Sequence, residues 1–197
     1  MKKFFTEIIV TCCYVGKIRF APGTFGSLLA FPLIIFLGYI LAATNYVLPL
    51  KNYSLTESVI LTFFSFTLIV TVILFFIGVY FSNQYIADHT SQDPKEVVID
   101  ELVGQMLTII LCIFSSIFLL NSNINAKINS SFLNIFVTLI MPFILFRIFD
   151  IFKPWPINYI DSNIKGGLGI MLDDIIAAIF ATVMHYAIIF MIISYTG

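Results

Sequence analysis

Five long apolar runs, at residues 28–50, 58–81, 97–120, 132–149 and 175–195, alternate with polar segments at 16–27, 51–57, 82–96, 121–131 and 150–174. A membrane-crossing helix needs about 20 mainly apolar residues, so the pattern predicts five transmembrane helices. Asn121-Ser122-Asn123-Ile124-Asn125 reads as a turn-rich connector. Before the first run, Phe4, Phe5, Ile8, Ile9 and Cys12 fall on one face of a short helix behind Lys2 and Lys3, as in a helix lying in the membrane interface. The basic start is that of a signal peptide, but Glu7 interrupts the apolar stretch and no small-residue cleavage site precedes Gly16-Lys17. The segment is therefore expected to be retained. The expected fold is all-α: one integral membrane domain over 1–197, a helical bundle of about five transmembrane helices plus the N-terminal interfacial helix.

Composition agrees and narrows the function. Apolar residues make up 60% of the 197 and charged residues 11%, against roughly 45–50% and 25% in an ordinary globular chain. A soluble domain of this size buries only about 70% of its surface, so a soluble enzyme is excluded, as are a disordered chain and a basic nucleic-acid binder. The three cysteines form no metal-type pair and no disulfide framework.

The net charge of −1 says little, but its placement says more. With the N-terminus, 82–96, 150–174 and the adjoining helix ends on one side, that side holds eight of the ten basic residues. By the positive-inside rule it is cytoplasmic. Ten of the eleven acidic residues fall there too, leaving only Glu57 opposite, although acids contribute little to orientation. Longer cytoplasmic loops explain part of this bias. They do not explain Asp100, Glu101 and Asp150, which lie just inside apolar runs where charge is costly. A carboxylate-lined site at the cytoplasmic membrane surface is expected.

Four segments carry candidate chemistry. In Gly16 to Ser27, Pro22, Gly23 and Gly26 permit a tight backbone with exposed N–H groups, and Thr24 or Ser27 is placed to cap the next helix; an ordinary helix-entry turn fits equally. In Asp93 to Gln105, Asp93 suits an N-cap and Pro94 a helix start, which puts Asp100 and Glu101 about two turns in. Gln105 shares a face with Glu101, and Gly104 admits a close helix neighbour. Two adjacent carboxylates there call for a hard cation such as Mg²⁺, unless they only mark an exposed helix end. In Arg147 to Pro156, Arg147, Asp150 and Lys153 form a charged strip at i, i+3, i+6, ended by Pro154. Interfacial anchoring explains Trp155, Tyr159 and Lys153, but not Asp150. In Gly166 to Ala177, a glycine-rich loop leads to Asp173-Asp174 at the mouth of the last span, as a second carboxylate pair or as complements to the helix dipole.

Taken together, Ala21-Pro22-Gly23-Thr24-Phe25-Gly26-Ser27, the Asp93-Pro94 … Val98-Ile99-Asp100-Glu101 … Gly104-Gln105 block, Phe146-Arg147-Ile148-Phe149-Asp150 … Lys153-Pro154-Trp155-Pro156 and Gly166-Gly167-Leu168-Gly169-Ile170-Met171-Leu172-Asp173-Asp174 resemble phosphatidylglycerophosphatase A, in that family's order across 16–178. The resemblance implies a bacterial, helical, Mg²⁺-dependent enzyme that removes the terminal phosphate of phosphatidylglycerophosphate to give phosphatidylglycerol. Asp100, Glu101, Asp173 and Asp174 are then the expected metal ligands. Asp150 is expected as a further ligand or as the base for the attacking water. Arg147 and Lys153 are expected to bind phosphate, helped by backbone amides at Gly23 and Thr24. The expected setting is a multi-pass protein of the bacterial inner membrane with its site facing the cytoplasm. Its partners are the phospholipid substrate and the membrane, with no nucleic acid or protein partner.

Rival chemistries are weaker. Cys13-Tyr14-Val15-Gly16-Lys17-Ile18-Arg19 matches the thiolate phosphate loop C-x-x-G-x-x-R, but Pro22-Gly23 follows where a helix should begin. No D-x-D occurs, and of the two histidines His185 lies within the last apolar run, as a bonded bundle residue. A small transporter or channel component is the alternative from another class; it predicts ionisable groups near the bilayer midplane rather than at one surface.

Overall fold

A computed structural model describes residues 2–49, 53–87, 94–120 and 135–196. Lys51, Asp88, His89, Asp93 with its expected capping role, Lys127, the connector at 121–131 and the first three residues of the fourth expected span lie outside the described residues.

Every regular element described is helical. Helix α1 (Lys2–Val10) leads through a 3₁₀ turn (Val15–Lys17) to α2 (Pro22–Leu28), which joins α3 (Ala30–Thr44) at Leu29. Then come α4 (Leu55–Ala87) and α5 (Ile99–Leu120). A π-helical turn (Phe136–Ile140) runs into α6 (Met141–Phe152), followed by α7 (Ile157–Asn163) and α8 (Gly167–Thr196). Among the described residues, three stretches are long and apolar enough to cross a membrane by themselves: Pro22–Thr44, Leu55–Ala87 and Gly167–Tyr195. The described parts of the two other expected spans are helical, as α5 and as the π-helical turn with α6, and α5 and α6 both pack on α8.

Several boundaries differ from the sequence expectation, each for a tertiary reason. Helix α5 begins at Ile99 and Pro94 sits in the loop before it, because the Val98 amide donates to Val10 O of α1 at 2.9 Å instead of entering a helix. Asp100 and Glu101 therefore occupy its first turn. Helix α8 begins at Gly167, so part of the glycine-rich stretch is its first turn and Asp173-Asp174 lie two turns inside. The side chain of Asn83 on α4 sets that start by accepting the Gly167 N–H at 2.7 Å. Neither Thr24 nor Ser27 caps a helix: the N-cap of α2 is Ala21, in the left-handed region, with Pro22 at N1. On α1, Thr6 and Val10 are buried while Phe4 and Phe5 project outward, so the expected apolar face is divided between protein and surroundings.

Helix α5 is the central post, packed on α8, α2, α4 and α6. Three apolar clusters surround it. On one side Ala177, Ala178 and Ala181 of α8 admit Val137, Met141, Leu145 and Phe146, since small residues let helix backbones approach. On the others Val103 packs with Val10, Ile170 and Met171, and Met106 with Ala30 and Leu37. His185 is fully buried, with Nδ1 2.7 Å from Ser115 Oγ and Nε2 2.9 Å from Val137 O, the bonded bundle residue that was expected.

Gly104 marks a close helix crossing near the charged end. A Cβ there would lie 2.7 Å from two ring carbons of Phe146 and 3.1 Å from Asp174 Cβ. Gly104→Leu is expected to lower the thermal midpoint of the protein in detergent, because overpacking costs about 1–3 kcal/mol. An unchanged midpoint would show that α5, α6 and α8 separate freely.

Candidate active site

Four helix segments converge at one end of the bundle. The first turn of α5 brings Asp100 and Glu101, α8 brings Asp173 and Asp174, the last turns of α6 bring Arg147 and Asp150, and α2 brings Gly23. Helix α6 stops at Phe152, as Pro154 requires. Lys153 then turns into the left-handed region (φ 41°, ψ 58°), at a cost of roughly 1–2 kcal/mol for a residue with a Cβ. The turn takes Lys153 off the expected helical strip and onto α7 and α8. All five expected catalytic carboxylates, with Gly23, Arg147 and Lys153, line one cavity of about 290 Å³. Thr24 does not line it, and its amide is bonded to Ala21 O at 3.0 Å.

Gly23 lies within α2, so its use is nearness and not an unusual dihedral. A Cβ on it would overlap Glu101 Oε1 and approach Arg147 Nη1 to 3.3 Å. One turn on, the buried Ser27 hydroxyl donates to Gly23 O at 2.9 Å and accepts from Arg147 Nη1 at 3.3 Å. Arg147 also pairs with Asp150. Asp150 in turn neighbours both Glu101 and Asp174.

The carboxylates divide into two groups. One oxygen from each of Asp100, Glu101 and Asp174 lies within 4.8 Å of the others. Asp173 stands apart from that trio, its Oδ2 accepting from Lys153 Nζ at 2.6 Å. Lys153 Nζ also donates to Asp161 Oδ1 at 2.9 Å. Burial works against the charged Lys153 ammonium, but Asp173 and Asp161 prevail and hold its pKa above the usual lysine value.

Asp100 Oδ1, Glu101 Oε2 and Asp174 Oδ2 are buried without a hydrogen-bond partner, as is the second oxygen of Asp173, Oδ1. Carboxylate oxygens left so are costly unless something positive meets them. The cavity lining carries six carboxylates against four cationic side chains, and the excess equals the charge of one divalent ion. Three clustered oxygen donors with open space beside them suit a hard divalent cation that keeps some water.

The thiolate alternative has no such geometry. Cys13 and Arg19 are exposed and neither lines the cavity.

Sequence reasoning missed Asp161, Lys95 and Lys165 as cavity-lining residues and Ser27 as a tie between α2 and α6. Asp161 had no signal beyond its acidity. Gln105, placed by the sequence on the face of Glu101, is buried with its amide unpartnered and does not line the cavity.

The phosphatidylglycerophosphatase A profile matches residues 8–189. The chain is 33% identical over 173 residues to phosphatidylglycerophosphatase A of Haemophilus influenzae, covering 88% of this chain and 82% of that one. It is 30% identical over 173 residues to phosphatidylglycerophosphatase A of Escherichia coli, covering 88% and 77%. A relative from Bacteroides thetaiotaomicron, 28% identical over 181 residues and covering 92% and 91%, bears the provisional name phosphatidylinositol-3-phosphatase. No solved structure matches. With a family match across nearly its whole length and relatives alike over most of it, this chain belongs to the phosphatidylglycerophosphatase A family.

Proposed function

We propose that this protein is a Mg²⁺-dependent phosphatase that hydrolyses the terminal phosphomonoester of phosphatidylglycerophosphate to phosphatidylglycerol, at the cytoplasmic face of the bacterial inner membrane. The observation that carries this reading is the trio Asp100, Glu101 and Asp174, within 4.8 Å of one another and in one cavity with Arg147 and Lys153. The names of the Haemophilus and Escherichia relatives support the substrate. The clustering of basic residues at the same end supports the cytoplasmic face.

Asp100, Glu101 and Asp174 would hold the Mg²⁺, which when bound would supply Lewis-acid stabilisation of charge on the phosphoryl group. Arg147 and Lys153 bind and orient the phosphate. Asp150, one oxygen engaged by Arg147, accepts the proton of the attacking water at the other. The water oxygen forms the new bond to phosphorus as the bond from phosphorus to the glycerol oxygen breaks, and that oxygen takes up the proton that Asp150 has accepted. The acyl chains stay in the bilayer throughout, so only the headgroup enters the cavity.

The test is phosphate release from phosphatidylglycerophosphate by the purified protein in mixed micelles, with Mg²⁺ and then with EDTA, alongside Cys13→Ser. Release is expected to need Mg²⁺, to fall about 10³-fold or more in EDTA, to return with excess Mg²⁺ and to ignore the cysteine change. Release that survives EDTA and dies with Cys13→Ser would hand the chemistry to the thiolate loop. Faster turnover of phosphatidylinositol 3-phosphate would move the substrate to that lipid. Folded protein that releases phosphate from neither lipid favours the transport alternative.

A further inference from the structure

Asp161 belongs to no motif singled out in the sequence, yet it lines the cavity and bonds Lys153, which lines it too. We propose that Asp161 is a positioning residue: with Asp173 it fixes the Lys153 ammonium so that its remaining N–H points to a phosphate oxygen in the cavity. The inference rests on the phosphatase reading and adds to it a residue that never touches the substrate.

The argument is geometric. A lysine ammonium has three N–H donors on a flexible four-carbon stem. One carboxylate partner leaves the head free to swing about that bond; two partners on different elements fix its position and the direction of the third donor. Asp173 is buried on α8 at 2.6 Å, and Asp161 lies on the short α7 at 2.9 Å. Helix α7 follows Lys153 closely through Pro154 and Pro156, with Ile157 N–H bonded to Pro154 O at 2.8 Å, so its carboxylate is held at a set distance from the lysine backbone. The left-handed turn at Lys153 aims the stem between them. Asp161 is also the exposed partner, with 41% of its side chain accessible against 7% for Asp173. Its own charge is therefore screened by solvent and opposes an anionic ligand little.

The test pairs Asp161→Ala with Lys153→Met, singly and together, in the Mg²⁺-loaded protein in detergent. It reads KM and kcat for phosphatidylglycerophosphate and, separately, calorimetric binding of inorganic phosphate. Asp161→Ala is expected to raise KM and to weaken phosphate binding about 10-fold, the scale of one charge-assisted hydrogen bond, with kcat changed less. Asp161→Glu is expected to restore most of both. In the Lys153→Met background, Asp161→Ala should add nothing, since the residue acts only through the lysine. An additive loss in the double variant, tighter phosphate binding by Asp161→Ala, or no phosphate binding by the unaltered protein would overturn the proposal. Phosphate binding that follows this pattern in a protein without lipid turnover would uphold Asp161 while removing the proposed substrate.

Discussion

Asp174→Asn protein is expected to release phosphate about 10³-fold more slowly than the unaltered protein, while running as the same species on size exclusion and melting at a similar temperature. Asp174 brings one of three carboxylate oxygens that lie within 4.8 Å of each other. Loss of one charged ligand weakens a site whose charge stabilisation is worth several kcal/mol, and each 1.4 kcal/mol is tenfold in rate. The fold should survive because the substitution removes a buried charge that has an unpartnered oxygen, Asp174 Oδ2, without changing volume. Asp173→Asn makes the contrast. Its carboxylate is bonded to Lys153 and lies outside the trio, so it should raise KM and leave the Mg²⁺ requirement unchanged. The check is the Mg²⁺ concentration for half-maximal release by each variant. Equal shifts in both would uphold Asp173 as the fourth ligand that the sequence suggests; full activity of Asp174→Asn would remove the trio from the chemistry.

Gly23→Ala is expected to cost about 10²-fold in kcat. Helix propensity alone points the other way, because alanine favours a helix over glycine by about 1 kcal/mol and Gly23 lies in α2. The new Cβ, however, would occupy the space of Glu101 Oε1 and press on Arg147 Nη1. Either Glu101 leaves the trio or α2 moves off α5. A misplacement of about 1 Å at reacting groups costs on the order of 10²-fold. The Glu101 end is a side chain able to yield, so thermal stability in detergent should change little while the rate falls. Unchanged turnover would show that Glu101 has room to spare and is not needed where it stands.

Much of the architecture was legible in the apolar pattern. Runs of about 20 apolar residues must become helices where water is absent, since each backbone N–H and C=O then needs a partner within its own segment. The runs at 28–50, 58–81, 97–120 and 175–195 accordingly return as α3, α4, α5 and α8. Pro154 marked a stop correctly, because the ring fixes φ and removes a donor; Pro22, read as part of a tight turn and as standing against a helix start, is instead the first residue of α2, where its missing donor costs nothing. The order of the four motifs was enough to point to the family. Helix starts set by distant partners were not legible: Asn83 reaches across 84 residues to begin α8 at Gly167, and the backbone of α1 holds Val98 out of α5.

By itself, then, the sequence determined that the chain is a helical membrane protein and which charged residues are too costly to be incidental, because composition and burial cost are additive along a chain. Which carboxylate does what is a matter of direction. Asp173 and Asp174 are neighbours in sequence, but successive residues on a helix point about 100° apart. On α8 that angle turns Asp173 to Lys153 and Asp174 to Asp100 and Glu101. The left-handed turn at Lys153 and the glycine contact of α2 with Glu101 complete the division. The directions of Asp173, Asp174 and Glu101 do not exist until α2, α5, α6 and α8 are packed together, because each is fixed by a partner on another element.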